Sequence, residues 1–222
     1  MAAPSQATIV EKPRNMSFTD AAAVPMGGLN ALHFMRVARI RPGERVVVIG
    51  AGGSIGAHAV QIAKAMGAEV TAVDRGTKAD FLRRLGADHL VDYTTQNALA
   101  TAGRYDVVFD MIPGGSLAAA LRALRPGGRY LHGNPRLSML IRAPLVRWFT
   151  SKTATCAFAR ETKEELMAVK AMIEAGAIAS IVDRVLPMTE AADAHRLVES
   201  EARRGAIVLA IGADAATAPS AR

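Results

Sequence analysis

A chain of 222 residues, half of them hydrophobic, can bury a substantial core as one large α/β domain with at most a small appendage. Its apolar runs are too short to span a bilayer, its opening MAAPSQATIVEKPR lacks the basic-then-apolar order of a signal peptide, and a lone cysteine, Cys156, precludes an internal disulfide or a cysteine-rich zinc lobe. The cytoplasm is the expected compartment, while a formal charge of +7 and a pI near 10.1 raise the question of a nucleic-acid partner.

The first element in chain order is a short helix, for which Ser17 or Thr19 can supply an N-cap oxygen. Pro25, Gly27 and Gly28 predict a break in it. A second helical stretch, LNALHFMRVARI, carries apolar Leu29, Leu32, Phe34, Met35, Val37 and Ile40 before Pro42 and Gly43 turn the chain. A strand at Val46–Ile49 then stops abruptly in VVVIGAGGSIG, and the helix-patterned AHAVQIAKAMG follows at once.

That order is a strand, a tight turn and a helix N-terminus. Glycines let the backbone take positive φ and approach a pyrophosphate, and the helix's free N–H groups and dipole favour the negative charge. A dinucleotide site is therefore expected, against the alternative of a β-to-α turn with no ligand. The common spacing G-x-G-x-x-G would need glycine at position 55, where Ile55 stands; Gly50, Gly53 and Gly56 give G-x-x-G-x-x-G, with Gly52 as an extra glycine.

The second strand, Glu69–Val73, ends at Asp74, eighteen residues past Gly56. A carboxylate there can accept both adenosine ribose hydroxyls of NAD and would repel the 2′-phosphate of NADP, which favours NAD. Arg75 and Lys78 could instead pair with that phosphate, and the bland alternative makes Asp74 and Arg75 mere solvated turn residues.

Next come a helix through Phe81, Leu82 and Leu85, a short strand at His89–Val91, a fourth strand at Val107–Phe109 and a helix from Ser116. Pro126, Gly127 and Gly128 read as a turn ahead of a fifth strand at Arg129–His132. Short connections between alternating strands and helices predict an α/β, doubly wound parallel sheet of Rossmann type.

Basic residues then concentrate from Arg136 to Arg160 without an acid, interspersed with Leu140, Ile141, Leu145, Val146, Trp148 and Phe149. The pattern is amphipathic, and favours a packed or oligomer-facing segment with a basic rim over a surface for RNA, DNA or a membrane. Neither nucleic acid nor membrane is expected as a partner.

A sixth strand falls within Thr153–Ala159, and Thr162 with Glu165 forms a capping box for a helix to Ala175. A strand near Ile181, a helix from Thr189 to about Glu199 and a last strand at Ala206–Ile211 complete the pattern. The expected organisation is a hinge segment over 1–40, a nucleotide-binding domain over 41–175, a returning segment over 176–212 and a disordered tail over 213–222.

Several ordered pieces, FTDAAAVPMGGLNAL, IRPGERVVVIGAGGSIGAHAVQIAKAMGAEV, LRRLGADHLVDY, YDVVFDMI, LRPGGRYLHGN and TEAADAHRLVESEARRGAIVLAI, together resemble the nucleotide-binding half of medium-chain dehydrogenase/reductases. The likeness is greatest to the zinc-independent quinone oxidoreductases and their alcohol-dehydrogenase-like relatives, and it runs from about Ala7 to Gly212. It implies NAD(P)H as cofactor, no zinc, a small-molecule substrate, and hydride transfer to or from a quinone, enone or carbonyl. By position it implies that Gly53, Ser54, Ile55 and Gly56 cradle the pyrophosphate, that Asp74 and Arg75 meet the ribose, and that Tyr93 lies toward the adenosine. Asn30 stands where such proteins carry a threonine near the nicotinamide, and Met111 and Gly133 line that half of the crevice.

Two departures stand out. Gly205 is followed by Ala206 where relatives read Gly-Lys, and the chain begins where such proteins have already completed a GroES-like substrate domain, with ATIVEKP resembling its last strand. A homo-oligomer, or a second chain supplying that domain, is the expected partner, with an exposed apolar surface around Val24, Met26, Ile181 and Val185.

No catalytic residue is assigned. The histidines show no H-x-x-x-H pair; His58 reads as a boundary residue, and His132, at the end of strand five, is the single one near the crevice. Rival classes lack their signatures: no Tyr-x-x-x-Lys for a short-chain dehydrogenase, no acid just before the glycine turn as in many methyltransferases, and no Gly-Lys-Ser/Thr for a nucleoside triphosphatase. The alternative to a reductase is a non-catalytic dinucleotide-binding module.

Overall fold

The computed structural model describes residues 9–134, 137–156, 159 and 162–211, so the expected tail, Arg136 and Arg160 lie outside the described residues. Helix α1 (Phe18–Ala38) leads into strand β1 (Arg45–Ile49), α2 (Ser54–Ala65), β2 (Glu69–Asp74), α3 (Ala79–Arg84) and β3 (His89–Asp92). The chain continues through β4 (Tyr105–Asp110), α4 (Leu117–Ala123), β5 (Leu124–His132), α5 (Leu137–Phe149), β6 (Thr153–Cys156) and α6 (Lys163–Glu174). It closes with β7 (Val182–Pro187), α7 (Ala191–Glu199) and β8 (Ala206–Ala210).

Six parallel strands pair in the order β3-β2-β1-β4-β5-β6, the doubly wound sheet that the alternation of elements predicts. Val46, Val47 and Val48 of β1 and Val107, Val108 and Phe109 of β4 are fully buried, as in strands covered on both faces. The chain leaves β1 toward β2 on one side and β4 pairs on the other, so the connections diverge at the carboxyl ends of β1 and β4 and leave a crevice there. β7 and β8 form a separate parallel pair, and the chain just before β8 is bridged to the glycine turn through Gly53 and Gly205.

α1 runs unbroken through Pro25, Gly27 and Gly28, against the expected interruption. Its start is fixed by a capping box in which Ser17 Oγ accepts the Asp20 N–H at 3.0 Å and the Asp20 carboxylate accepts the Ser17 N–H. Pro25 is exposed, and the glycines serve packing: a Cβ at Gly27 would lie 2.5 Å from Ser54 Oγ on α2, and one at Gly28 3.0 Å from Val169 on α6. Close helix contact outweighs the local propensity to break.

Two further expectations are corrected, on the turn before β5 and on an exposed patch. The turn placed at Pro126, Gly127 and Gly128 is absorbed into β5, whose pairing with β4 shifts register after Tyr105. Val24 and Ile181 are buried, Val24 against Gly28 of its own helix and Ile181 against Gly205; of the four residues expected in an exposed patch Met26 alone is open, at 71%. The basic amphipathic segment forms a helix, α5; among its described apolar side chains Ala143 and Val146 are buried and Met139 half-buried, while Ile141, Leu145, Trp148 and Phe149 face outward.

Candidate functional site

The glycine turn is built by the strand ends beneath it. The Gly50 and Ala51 N–H groups donate to the Val73 carbonyl at 3.0 and 3.1 Å, which fixes the turn over β2, and Gly50 takes φ +80°, a conformation that favours glycine. Gly56 is required by packing, since a Cβ there would lie 2.1 Å from the Gly50 carbonyl oxygen. Gly52 is shut in as well, with Lys78 and Asp74 within 2.4 and 2.8 Å of a Cβ.

Gly53 differs from these three. Its φ of −79° suits any residue, and a Cβ on it would meet nothing nearer than the Gly50 carbonyl oxygen at 3.6 Å. The protein's own packing does not need a glycine here, so the space above Gly53 is open to a ligand. Gly53 is also the N-cap of α2 and offers no side-chain acceptor, which leaves the first-turn amides of Ser54, Ile55 and Gly56 uncapped by a side chain. An open cradle at an uncapped helix start fits a diphosphate.

At the end of β2, Asp74 and Lys78 are both buried and paired at 3.0 Å. Asp74 Oδ2 accepts the Gly52 N–H at 2.7 Å and Oδ1 accepts the Arg75 N–H at 2.8 Å, so the carboxylate holds the turn in place. Arg75 is exposed, and its Nε donates to the Tyr93 hydroxyl at 2.8 Å. The structure thus brings Asp74, Arg75 and Tyr93 together beside the glycines.

On the other side of the turn, Met111 and Gly133 meet: a Gly133 Cβ would lie 2.5 Å from the Met111 sulfur and 3.1 Å from the Phe34 ring. Ile112 covers Gly50 from the end of β4. Asn30 precedes Phe34 by one turn of α1, with its side-chain amide donating to the Met26 carbonyl at 2.8 Å. His132 is fully buried, stacked on Tyr130 with its Nδ1 bonded to the Asp110 carbonyl at 2.8 Å. Burial drives the Asp110 carboxyl upward, although it accepts the Ile112 N–H and lies within reach of the Tyr130 hydroxyl; burial, with Asp110 alongside, drives the Tyr130 phenol up too. This set is closed off from solvent, which removes His132 as a group that could reach a substrate.

Sequence reasoning missed Arg203. The Gly205 N–H donates to the Gly52 carbonyl at 2.9 Å, and this tie lays the chain before β8 across the turn and brings Arg203 Nη1 to 4.0 Å from the Cβ position of Gly53. Arg204 Nη2 donates to the Thr77 carbonyl at 3.3 Å. The adjacent arginines ahead of Gly205 are the one signal in the sequence, and some 150 residues separate them from the glycines they approach.

The described residues do not fit a zinc site: no group of three or more His, Cys, Asp or Glu side chains among them could hold a metal, and Cys156 is a part-buried thiol that burial pushes up.

Two family descriptions match the chain, zinc-binding dehydrogenase over residues 85–209 and the C-terminal domain of alanine dehydrogenase/PNT over residues 19–112. A polyketide synthase system protein of Streptomyces orinoci, NorB, is 42% identical over 129 residues, covering 55% of this chain and 6% of its own. The 2-methylene-furan-3-one reductase of Solanum lycopersicum is 27% identical over 202 residues, covering 89% of this chain and 48% of its own. The structure of a quinone oxidoreductase from Coxiella burnetii superposes with a TM-score of 0.80 at 25% identity, over 90% of this chain and 63% of that one. The chain therefore spans less than two thirds of each of these relatives.

Proposed function

Because the chain belongs to the zinc-binding dehydrogenase family of medium-chain dehydrogenase/reductases, we propose that it binds NAD(P)H over the glycine turn and presents it for hydride transfer to a quinone, enone or carbonyl. The observation that carries this reading is the open space at Gly53, the one glycine of the turn that the protein's own packing does not fill. The backbone amides of Ser54, Ile55 and Gly56 would hold the diphosphate with the Arg203 guanidinium opposite them. The Asp74 carboxylate, buried and already accepting from Gly52 and Arg75, would take a ribose hydroxyl on a remaining lone pair. Met111 and Gly133, packed with Phe34, would form an apolar floor that excludes water beneath the nicotinamide, and Asn30, one turn before Phe34 on α1, would stand at its edge. The bound coenzyme itself supplies the hydride from its nicotinamide ring.

Lys78 at 3.0 Å neutralises Asp74, so the carboxylate repels a 2′-phosphate less than a lone one would, and Arg75 stands beside it as a cation for that phosphate. The site is read as admitting both NADH and NADPH, in place of the NAD preference that Asp74 alone suggested. A second copy, or a chain supplying a substrate-side domain, would cover the exposed Phe18 and Met26 of α1.

A second reading, a dinucleotide-binding module without turnover, draws on the burial of Asp110, Tyr130 and His132, which keeps those groups from protonating a substrate oxygen. Fluorescence titration with NADH and NADPH, followed by hydride-transfer assays on quinones, enones and aldehydes, separates the two. Binding with turnover supports the reductase, binding without turnover the module, and flat titrations with both coenzymes overturn the site. Gly53→Val is the control: a side chain tolerated by the fold should abolish binding with the melting temperature unchanged.

A further inference from the structure

Helix α5 presents two apolar faces. Ala143 and Val146 are turned inward and buried, at 3% and 7% exposure. Ile141, Leu145 and Trp148 recur at i, i+4 and i+7 on the opposite side with Phe149 beside them, and Trp148 and Phe149 are 77% and 84% exposed. Arg142 and Arg147 stand on either flank of this outward stripe, both exposed and neither in an ion pair among the described residues.

The charge along this segment has one sign: from Leu137 to Cys156 the chain carries Arg142, Arg147 and Lys152 and no acid, whereas Arg125 and Arg129, earlier in the chain, are held by Asp106 and Glu44. A helix lying flat on the surface, with aromatic and aliphatic side chains outward and arginines along its borders, matches the chemistry of an anionic lipid interface. The rings and aliphatic chains enter the acyl boundary, and the guanidinium groups reach up to the phosphates. A two-fold contact between copies centred on the same stripe would instead set its arginines against their own counterparts, with no acid in the stretch to offset them.

We propose that the outward face of α5 docks this protein on the surface of an anionic phospholipid bilayer, as a peripheral contact lying in the plane of the headgroups. This revises the expectation that no membrane is involved, and it is separate from coenzyme binding, because the glycine turn and α5 share no residue. No described helix is long and apolar enough to cross a bilayer, so the contact is one of surface attachment.

Trp148 is the one tryptophan in the chain and reports directly on the stripe. Adding vesicles of phosphatidylcholine mixed with phosphatidylglycerol to the full chain without coenzyme should shift its emission to the blue and carry the protein into the pellet, whereas phosphatidylcholine alone should do neither. Arg142→Ser and Arg147→Ser should each weaken partitioning about fivefold, and added salt should weaken it further. Ile141→Ser with Phe149→Ser should abolish the shift with an unchanged melting temperature and circular dichroism spectrum. Unshifted emission with the anionic vesicles overturns the proposal. So does a sedimentation-velocity result in which the Ile141→Ser, Phe149→Ser pair splits an oligomer while vesicle binding persists, since the stripe would then belong to a second copy.

Discussion

At Gly53, Arg203 and Arg75 single residues would decide what the turn can hold. Arg203 approaches Gly53 itself, whereas Arg75 stands beside Tyr93 at the proposed ribose end. Arg203→Ala should therefore weaken NADH and NADPH alike, by about tenfold or more for a lost charge-assisted contact, and Arg75→Ala should weaken NADPH selectively; equal losses for Arg75→Ala in paired titrations would remove it from the 2′-phosphate. His58 belongs to this scale for a different reason. Burial pushes its imidazole below the ordinary value, against the bond between Nδ1 and the Ser54 carbonyl, and its Nε2 has no partner. The unfolded chain takes up a proton near pH ~6.5 that the folded chain refuses, so the contribution of this group to stability is full above about pH 6.5 and falls as the pH drops toward the lowered folded value. His58→Leu should flatten that part of the profile, as read from melting temperatures between pH ~5 and ~7.5 in both proteins; parallel profiles would show that His58 does not carry it.

The helices show how tertiary contact overrules local signals. Pro25, Gly27 and Gly28 all argue against a continuous α1, yet the helix continues because the two glycines let it approach α2 and α6. Gly27→Ala tests the balance. Alanine gains about 1 kcal/mol of helix propensity, but its Cβ would sit 2.5 Å from Ser54 Oγ and 2.8 Å from the Ser54 carbonyl oxygen, and overpacking of that kind costs about 1–3 kcal/mol. Net destabilisation is expected in denaturant titration, with weaker coenzyme binding because the displaced residue is the first of α2. A more stable variant would show that α1 can move away without strain.

For the whole molecule, the tie between Gly205 and Gly52 makes the β7–β8 unit part of the proposed coenzyme site, because it brings Arg203 to the turn. Ligand binding should therefore stabilise both units together. A saturating coenzyme at about a hundred times its Kd adds about 2.7 kcal/mol, or about 5–10 °C in melting temperature for a chain of this size. A single transition moving upward by that amount is the expected calorimetric result; a transition that splits, with one part unmoved, would show that the β7–β8 unit melts apart from the site.

The order of strands and helices, the glycine turn and Asp74 at the end of β2 are legible in the sequence, because each rests on local periodicity or on a spacing within one β-α-β unit. Three features are not. The unbroken α1 depends on what its glycines touch, and Arg203 reaches Gly53 across some 150 residues of chain. The outward face of α5 is ambiguous in sequence because both sides of that helix are apolar, and only the position of the sheet fixes which side is buried. Local pattern determines the elements and their chemistry; which of their surfaces meet, and which remain open to a ligand or a lipid, is decided by packing among residues far apart in the chain.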